Sequence, residues 1–221
     1  MKIEDLKVSQ NTREWTEWLS LITPIAVKLI QELSMRAIPV AELRLRLKGE
    51  ENGDLPPDLP GIYGFFAKDT NARLPLIKCG ESSELFARIV SHLGVKPKRS
   101  ICPPRYIEEG NSFSGDSTFR VKIARALNLI EKGAWRKSEL RGETSALAKS
   151  VNKAIDGYRI AWQPLLLGRK DIQTWAEWNT GSTYRARQMS AHPLQARLKP
   201  AFDKSLFERP QTFWKDLLNI G

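Results

Sequence analysis

Cysteine and histidine are scarce in this chain of 221 residues: Cys79, Cys102, His92 and His192 are the full set. Two cysteines cannot build a disulfide framework, and no Cys or His spacing here matches a zinc site. Any metal would have to be a hard cation held by carboxylate and water oxygens. Long apolar runs are missing too. The nearest, LSLITPIAVKLI at 19–30, is shorter than the roughly 18–20 residues of a membrane span, and Pro24 and Lys28 interrupt it. The opening MKIEDLKVSQNTREW carries acids and has no apolar centre, unlike a secretory signal. Internal repeats and low-complexity tracts are absent. Together these absences lead to the expectation of a soluble, cytoplasmic protein with no membrane partner.

Acid is also in short supply. Thirty-five Lys and Arg stand against twenty-five Asp and Glu, a net charge of +10, with a pI near 9.7. That balance points to a polyanionic partner, of which nucleic acid is the commonest for a soluble protein.

The hydrophobic 41% suits a globular core. Apolar residues at helical spacing over 12–35 predict a helix, with Thr12 at its N-cap and Pro24 dividing it in two. AELRLRLKG at 41–49 alternates leucine with arginine and reads as a strand with one wet face. ENGDLPPDLPG at 51–61 is a loop. GIYGFFA and LPLIKCG, joined by KDTNAR, predict a β-hairpin. A helix follows over 82–93, then a long loop over 94–116.

STFRVKIARALNLIEKG predicts a helix capped by Ser117, and the stretch after it another helix, or two short ones, closing at Gly157. YRIAWQPLLLG at 158–168 supplies a third strand, and DIQTWAEWN a further helix. The expected class is α+β, a small, mostly antiparallel sheet flanked by helices. Three regions are expected: an N-terminal helical extension over 1–57, a core over 58–180 with the 94–116 loop inserted, and a C-terminal helical extension over 181–221.

The residues that carry chemistry gather around the hairpin. On the 82–93 helix, 100° steps from Leu85 put Leu85, Phe86, Ile89, Val90 and Leu93 on one buried arc. Arg88 and His92 fall at about 300° and 340°, an i,i+4 pair on the border of that arc, able to lean over the sheet. On the first strand Gly61, Tyr63 and Phe65 share one side, and Gly61 and Gly64 flank the tyrosine. Gly80 is expected to end the partner strand. Ser82 is expected to cap the helix, whose free amides would favour an anion.

Gly61-Ile62-Tyr63, Gly80, Ser82, Leu85, Arg88 and His92, in this spacing, resemble the GIY-YIG nuclease family, in particular its restriction-endonuclease-like members. The resemblance covers roughly 58–130. It implies a metal-dependent DNA endonuclease acting on double-stranded DNA, expected to be a site-specific restriction enzyme working as a homodimer. Lys78 stands where the family has its second tyrosine, and could hold the phosphate or act on Tyr63.

In this reading Tyr63 is the base toward water, made usable by a nearby cation, and Arg88 binds the scissile phosphate. His92 orients or relays a proton. Glu177 would hold one divalent ion, magnesium, with Asn179 close by and Glu139 and Glu143 as rivals. Lys96, Lys98, Arg99 and Arg105 would clamp the DNA backbone, and Tyr184, Arg185 and Arg187 would add phosphate and base contacts. His192 is assigned no role. Two other readings stay open: a non-catalytic DNA-binding protein on a decayed nuclease scaffold, and a structure-specific repair or RNA nuclease.

Overall fold

The computed structural model describes residues 3–67, 76–108, 117–130, 137–140 and 142–179. Tyr184, Arg185, Arg187 and the expected C-terminal extension lie outside the described residues, as does the hairpin turn. The fold is α+β. Strands β1 (Ile38–Pro39), β2 (Gly61–Ala67), β3 (Leu76–Ser82) and β4 (Tyr158–Pro164) form a sheet in the order β1-β4-β2-β3, each pair antiparallel. Tyr63 is opposite Gly80 of β3 on one side and Trp162 of β4 on the other. Phe65 pairs with Lys78 and Phe66 with Leu76, so the register slips beside Ile77.

Alternation along β2 sorts its side chains between two cores. Tyr63 and Phe65 join Ile160 under helices α2 (Val40–Lys48), α3 (Leu85–Leu93), α5 (Thr118–Ala126) and α6 (Ala146–Asp156). Ile62 and Phe66 join Cys79 and Ala161 under helices α1 (Ile3–Arg36) and α7 (Arg169–Asn179). Covering both faces allows six consecutive residues, Gly61–Phe66, to be buried, where a one-sided sheet would bury every second one. Each large apolar side chain placed in such a core stabilises the fold by about 1.5–3 kcal/mol. Among the described residues no helix is long and apolar enough to cross a membrane.

Three elements differ from the sequence reading. Residues 40–48 form helix α2, not a strand. Val40, Leu43 and Leu47 are buried at helical spacing, and Arg44 turns inward with them to pair with Asp156 at 2.9 Å. Gly49, at φ 70°, closes this helix in the left-handed conformation that glycine adopts without strain. Pro24 does not divide α1, which runs through it. Ile22, Ala26, Ile30 and Leu33 of α1 hold the helix to the sheet, and Trp175 Nε1 donates to Thr23 Oγ1 at 2.9 Å beside the proline. The 94–116 stretch contains a 3-10 turn at Arg99–Ile101 and a short helix, α4 (Pro104–Glu108). Residues within the expected 1–57 extension contribute α1, β1 and α2 to the sheet and to both its covering layers.

Candidate functional site

Tyr63 and His92 meet over the sheet because each is held from several sides. The α3 phase buries Leu85, Phe86, Ile89, Val90 and Leu93 as expected from their spacing, and it carries His92 inward as well. His92 Nε2 lies 2.6 Å from Tyr63 Oη, and His92 Nδ1 lies 2.6 Å from Ser117 Oγ. Phe65 and Phe119 close the box around the imidazole, with ring centroids 5.9 and 5.6 Å away. Tyr63 and His92 are each 2% exposed.

Gly80 makes the space for the phenol. It does not end β3, which runs on to Ser82. A β-carbon on Gly80 would fall on Cζ and Oη of Tyr63. The glycines expected to clear the ring serve other neighbours. Gly61 accommodates the Gln163 carbonyl and Leu85, and Gly64 accommodates Phe66 and Leu76.

Cations surround the imidazole. Burial comes first in holding His92 well below the usual histidine range, followed by the charges of Lys78, Arg88 and Arg120. His92 is therefore a neutral ring at physiological pH. Lys78 is buried on β3 opposite Phe65. Arg88 is exposed at the rim, and among the described residues its guanidinium has no ion-pair or hydrogen-bond partner. Of the four residues nominated around the hairpin, Tyr63 and His92 touch, and Lys78 and Arg88 act on His92 through their charge.

Ser117 and Arg120 complete the cluster. The sequence points to Ser117 only as a cap, and it does accept from the Arg120 backbone N–H at 3.3 Å at the start of α5. The Arg120 side chain is buried against the end of α3. Its Nη1 donates to the Leu93 carbonyl at 2.9 Å and to Asn152 Oδ1 at 2.6 Å, and its Nε donates to the Leu140 carbonyl at 2.8 Å. Arg44 Nη1 donates to the same Leu93 carbonyl at 2.7 Å. Two arginines at the carbonyl end of α3 suit its dipole and fix the turn that bears His92. Burial, with Arg44 adding to it, lowers Arg120 to about 10, which leaves it charged. Its signal in sequence, an arginine three residues after the cap, gives no hint of this partner set.

The entry to α3 is not an anion site. Ser82 Oγ, three residues before the helix begins, accepts from the Glu84 N–H at 3.0 Å. Leu85 N–H and Phe86 N–H donate to the carbonyls of Leu59 and Pro57. These loop carbonyls occupy the amides that would otherwise face a ligand.

Among the basic residues, Lys96, Lys98 and Arg99 are exposed immediately after α3, and Arg105 pairs with Glu84 at 2.8 Å. Among the nominated carboxylates, Glu143 pairs with Lys48 at 2.9 Å, and Glu139 is exposed in the Lys137–Leu140 turn. Glu177 lies on α7, whose Ile172, Trp175 and Ala176 pack on the sheet face opposite Tyr63, and its side chain is outside the described residues. The structure does not bring α7 into the cluster. Among the described residues no group of three or more His, Cys, Asp or Glu side chains could hold a metal ion, and the charges around His92 are cationic. The described cluster does not fit a divalent ion. Comparisons with protein-family models, curated proteins and solved structures find no match to this chain.

Proposed function

We propose that the Tyr63–His92 cluster is a phosphodiester-hydrolysing site and that the protein is a DNA endonuclease of the GIY-YIG type, of the restriction kind. The observation that carries this reading is the 2.6 Å contact of Tyr63 Oη with a neutral His92, on a helix whose exposed Arg88 guanidinium has no partner among the described residues. Arg88 would take the scissile phosphate from solvent and stabilise the charge that grows on its oxygens in the transition state. Tyr63 would accept the proton of the attacking water, with His92 and Lys78 governing the charge on the phenol oxygen. Lys96, Lys98 and Arg99 would bind the DNA backbone without regard to sequence. A homodimer would cut both strands of a symmetric site, one centre to each strand. The resemblance also implies magnesium held by Glu177, and that assignment rests on the resemblance alone.

A second reading has an observation in its favour. Tyr63 and His92 are each only 2% exposed, as expected for a hydrogen-bonded core pair on a scaffold that binds DNA without cutting it. Incubation of supercoiled plasmid with the protein, with magnesium and with EDTA, separates the two. Nicked or linear product that disappears in Tyr63→Phe and Arg88→Ala supports the nuclease. Plasmid that is bound but never cut supports the scaffold. Among cleaving outcomes, discrete fragments from long DNA mark restriction, and a requirement for flaps or branches marks repair.

A further inference from the structure

The proton on His92 governs what Tyr63 can do. We propose that Ser117 is a positioning residue of this site: its hydroxyl donates to His92 Nδ1, fixes the Nε2–H tautomer, and so makes the imidazole a hydrogen-bond donor to the Tyr63 oxygen. The assignment of the proton stands on the hydrogen-bond geometry around Ser117, independent of any activity; its catalytic consequence rests on the nuclease reading.

Proton counting carries the inference. Ser117 is buried, and among the described residues its Oγ has two hydrogen-bond neighbours, the Arg120 backbone N–H at 3.3 Å and His92 Nδ1 at 2.6 Å. The Arg120 N–H can only donate, and it occupies one lone pair of Oγ. The hydroxyl hydrogen therefore has Nδ1 as its acceptor. Were Nδ1 protonated instead, Oγ would accept from both sides and a buried O–H would be left without a partner. Burial, with the charges of Lys78, Arg88 and Arg120 adding to it, opposes a second proton on the ring, in keeping with a single hydrogen there. With Nδ1 accepting, that hydrogen is on Nε2, aimed at Tyr63 Oη 2.6 Å away.

The chemical consequence is specific. Once the phenol has released its own proton to bulk solvent, an N–H donated to its oxygen stabilises the negative charge there, and the phenolate regains a proton from the attacking water. The opposite tautomer would instead take the phenol's own hydrogen and spend it on the imidazole. Ser117 thus links the start of α5 to the charge state of Tyr63, through a ring it does not share a helix with.

Nitrogen-resolved NMR of the full chain, labelled with 15N-histidine, reads the tautomer directly. His92→Gln and His192→Gln variants assign the two rings. At pH 7.5 the expected spectrum has a protonated Nε2 and a bare Nδ1 at His92. A protonated Nδ1, or a doubly protonated ring, would overturn the proposal. Ser117→Thr keeps a donor and should keep the wild-type tautomer. Ser117→Asp keeps an acceptor for the Arg120 N–H but donates nothing, so the proton should move to Nδ1; an unchanged spectrum in that variant would also overturn the proposal. If Ser117→Asp does not fold, the wild-type and Ser117→Thr spectra decide. In plasmid cleavage, Ser117→Asp should lower kcat on the order of 100-fold while Ser117→Thr retains it. No cleavage by wild type with Nε2–H in place would retire the nuclease reading and support the proton assignment.

Discussion

Gly80→Ala tests how tightly the site is built. A methyl at this position meets Cζ and Oη of Tyr63 across the β2–β3 pair. The ring has little room to yield, being edge-on to Phe65 at 6.1 Å and tilted against His92 at 5.2 Å. Forcing a methyl into a packed core costs about 1–3 kcal/mol. Replacing a strand glycine returns roughly 0.5–1 kcal/mol of backbone entropy. If Tyr63 also leaves His92, a buried polar atom of the imidazole loses its partner, at about 1–3 kcal/mol. The net expectation is a loss of about 2 kcal/mol.

Urea denaturation followed by tryptophan fluorescence measures that loss, and a double-mutant cycle locates its cause. Tyr63→Leu removes the atoms the methyl would strike. Gly80→Ala should therefore be milder in the Tyr63→Leu background, with a coupling of at least about 1 kcal/mol. A neutral or stabilising Gly80→Ala, or two losses that simply add, would refute this account of the glycine.

Other outcomes follow from the same geometry. Unfolded histidine titrates near 6.5 and folded His92 well below it, so as pH falls below 6.5 the unfolded chain binds a proton that the folded one does not. Stability should fall by about 1.4 kcal/mol per pH unit from 6.5 toward 5, measured as wild type minus His92→Gln, and show no such slope above 6.5. Arg88→Ala should change stability by less than about 0.5 kcal/mol in urea melts, because the side chain is exposed and its guanidinium has no partner among the described residues, yet reduce cleavage on the order of 100-fold or more. Gly94 has φ 64°, and a β-carbon there would strike the Arg120 guanidinium, so Gly94→Ala should cost about 2 kcal/mol or more in the same melts.

The parts of the fold legible in the sequence were those set by local pattern. The five apolar residues of α3 sit where a 100° repeat places them, and Ser117 caps α5 as its position before Thr118 indicates. The same repeat carries His92 inward to Tyr63 and leaves Arg88 at the exposed rim. What escaped depends on contacts distant in the chain. Residues 41–49 satisfy both an alternating and a helical pattern, and only the pairing of Arg44 with Asp156 and Leu93 shows why an arginine turns inward. Gly80 looked like a turn residue because its need arises from a tyrosine on another strand. Ser117 and His92 are 25 residues apart, and no periodicity within α3 or α5 announces that they touch. The carboxylate assignment rested on element order, and α7 instead packs beneath the sheet through Trp175 and Ala176.

The most direct measurement of the central claim is single-turnover cleavage of plasmid DNA at saturating protein, comparing wild type with Tyr63→Phe. The expected result is a fall in the cleavage rate on the order of 100- to 10,000-fold with the Kd for DNA unchanged. Equal rates for the two proteins, or a wild type that binds the plasmid and never cuts it, would contradict the assignment of Tyr63 as the base.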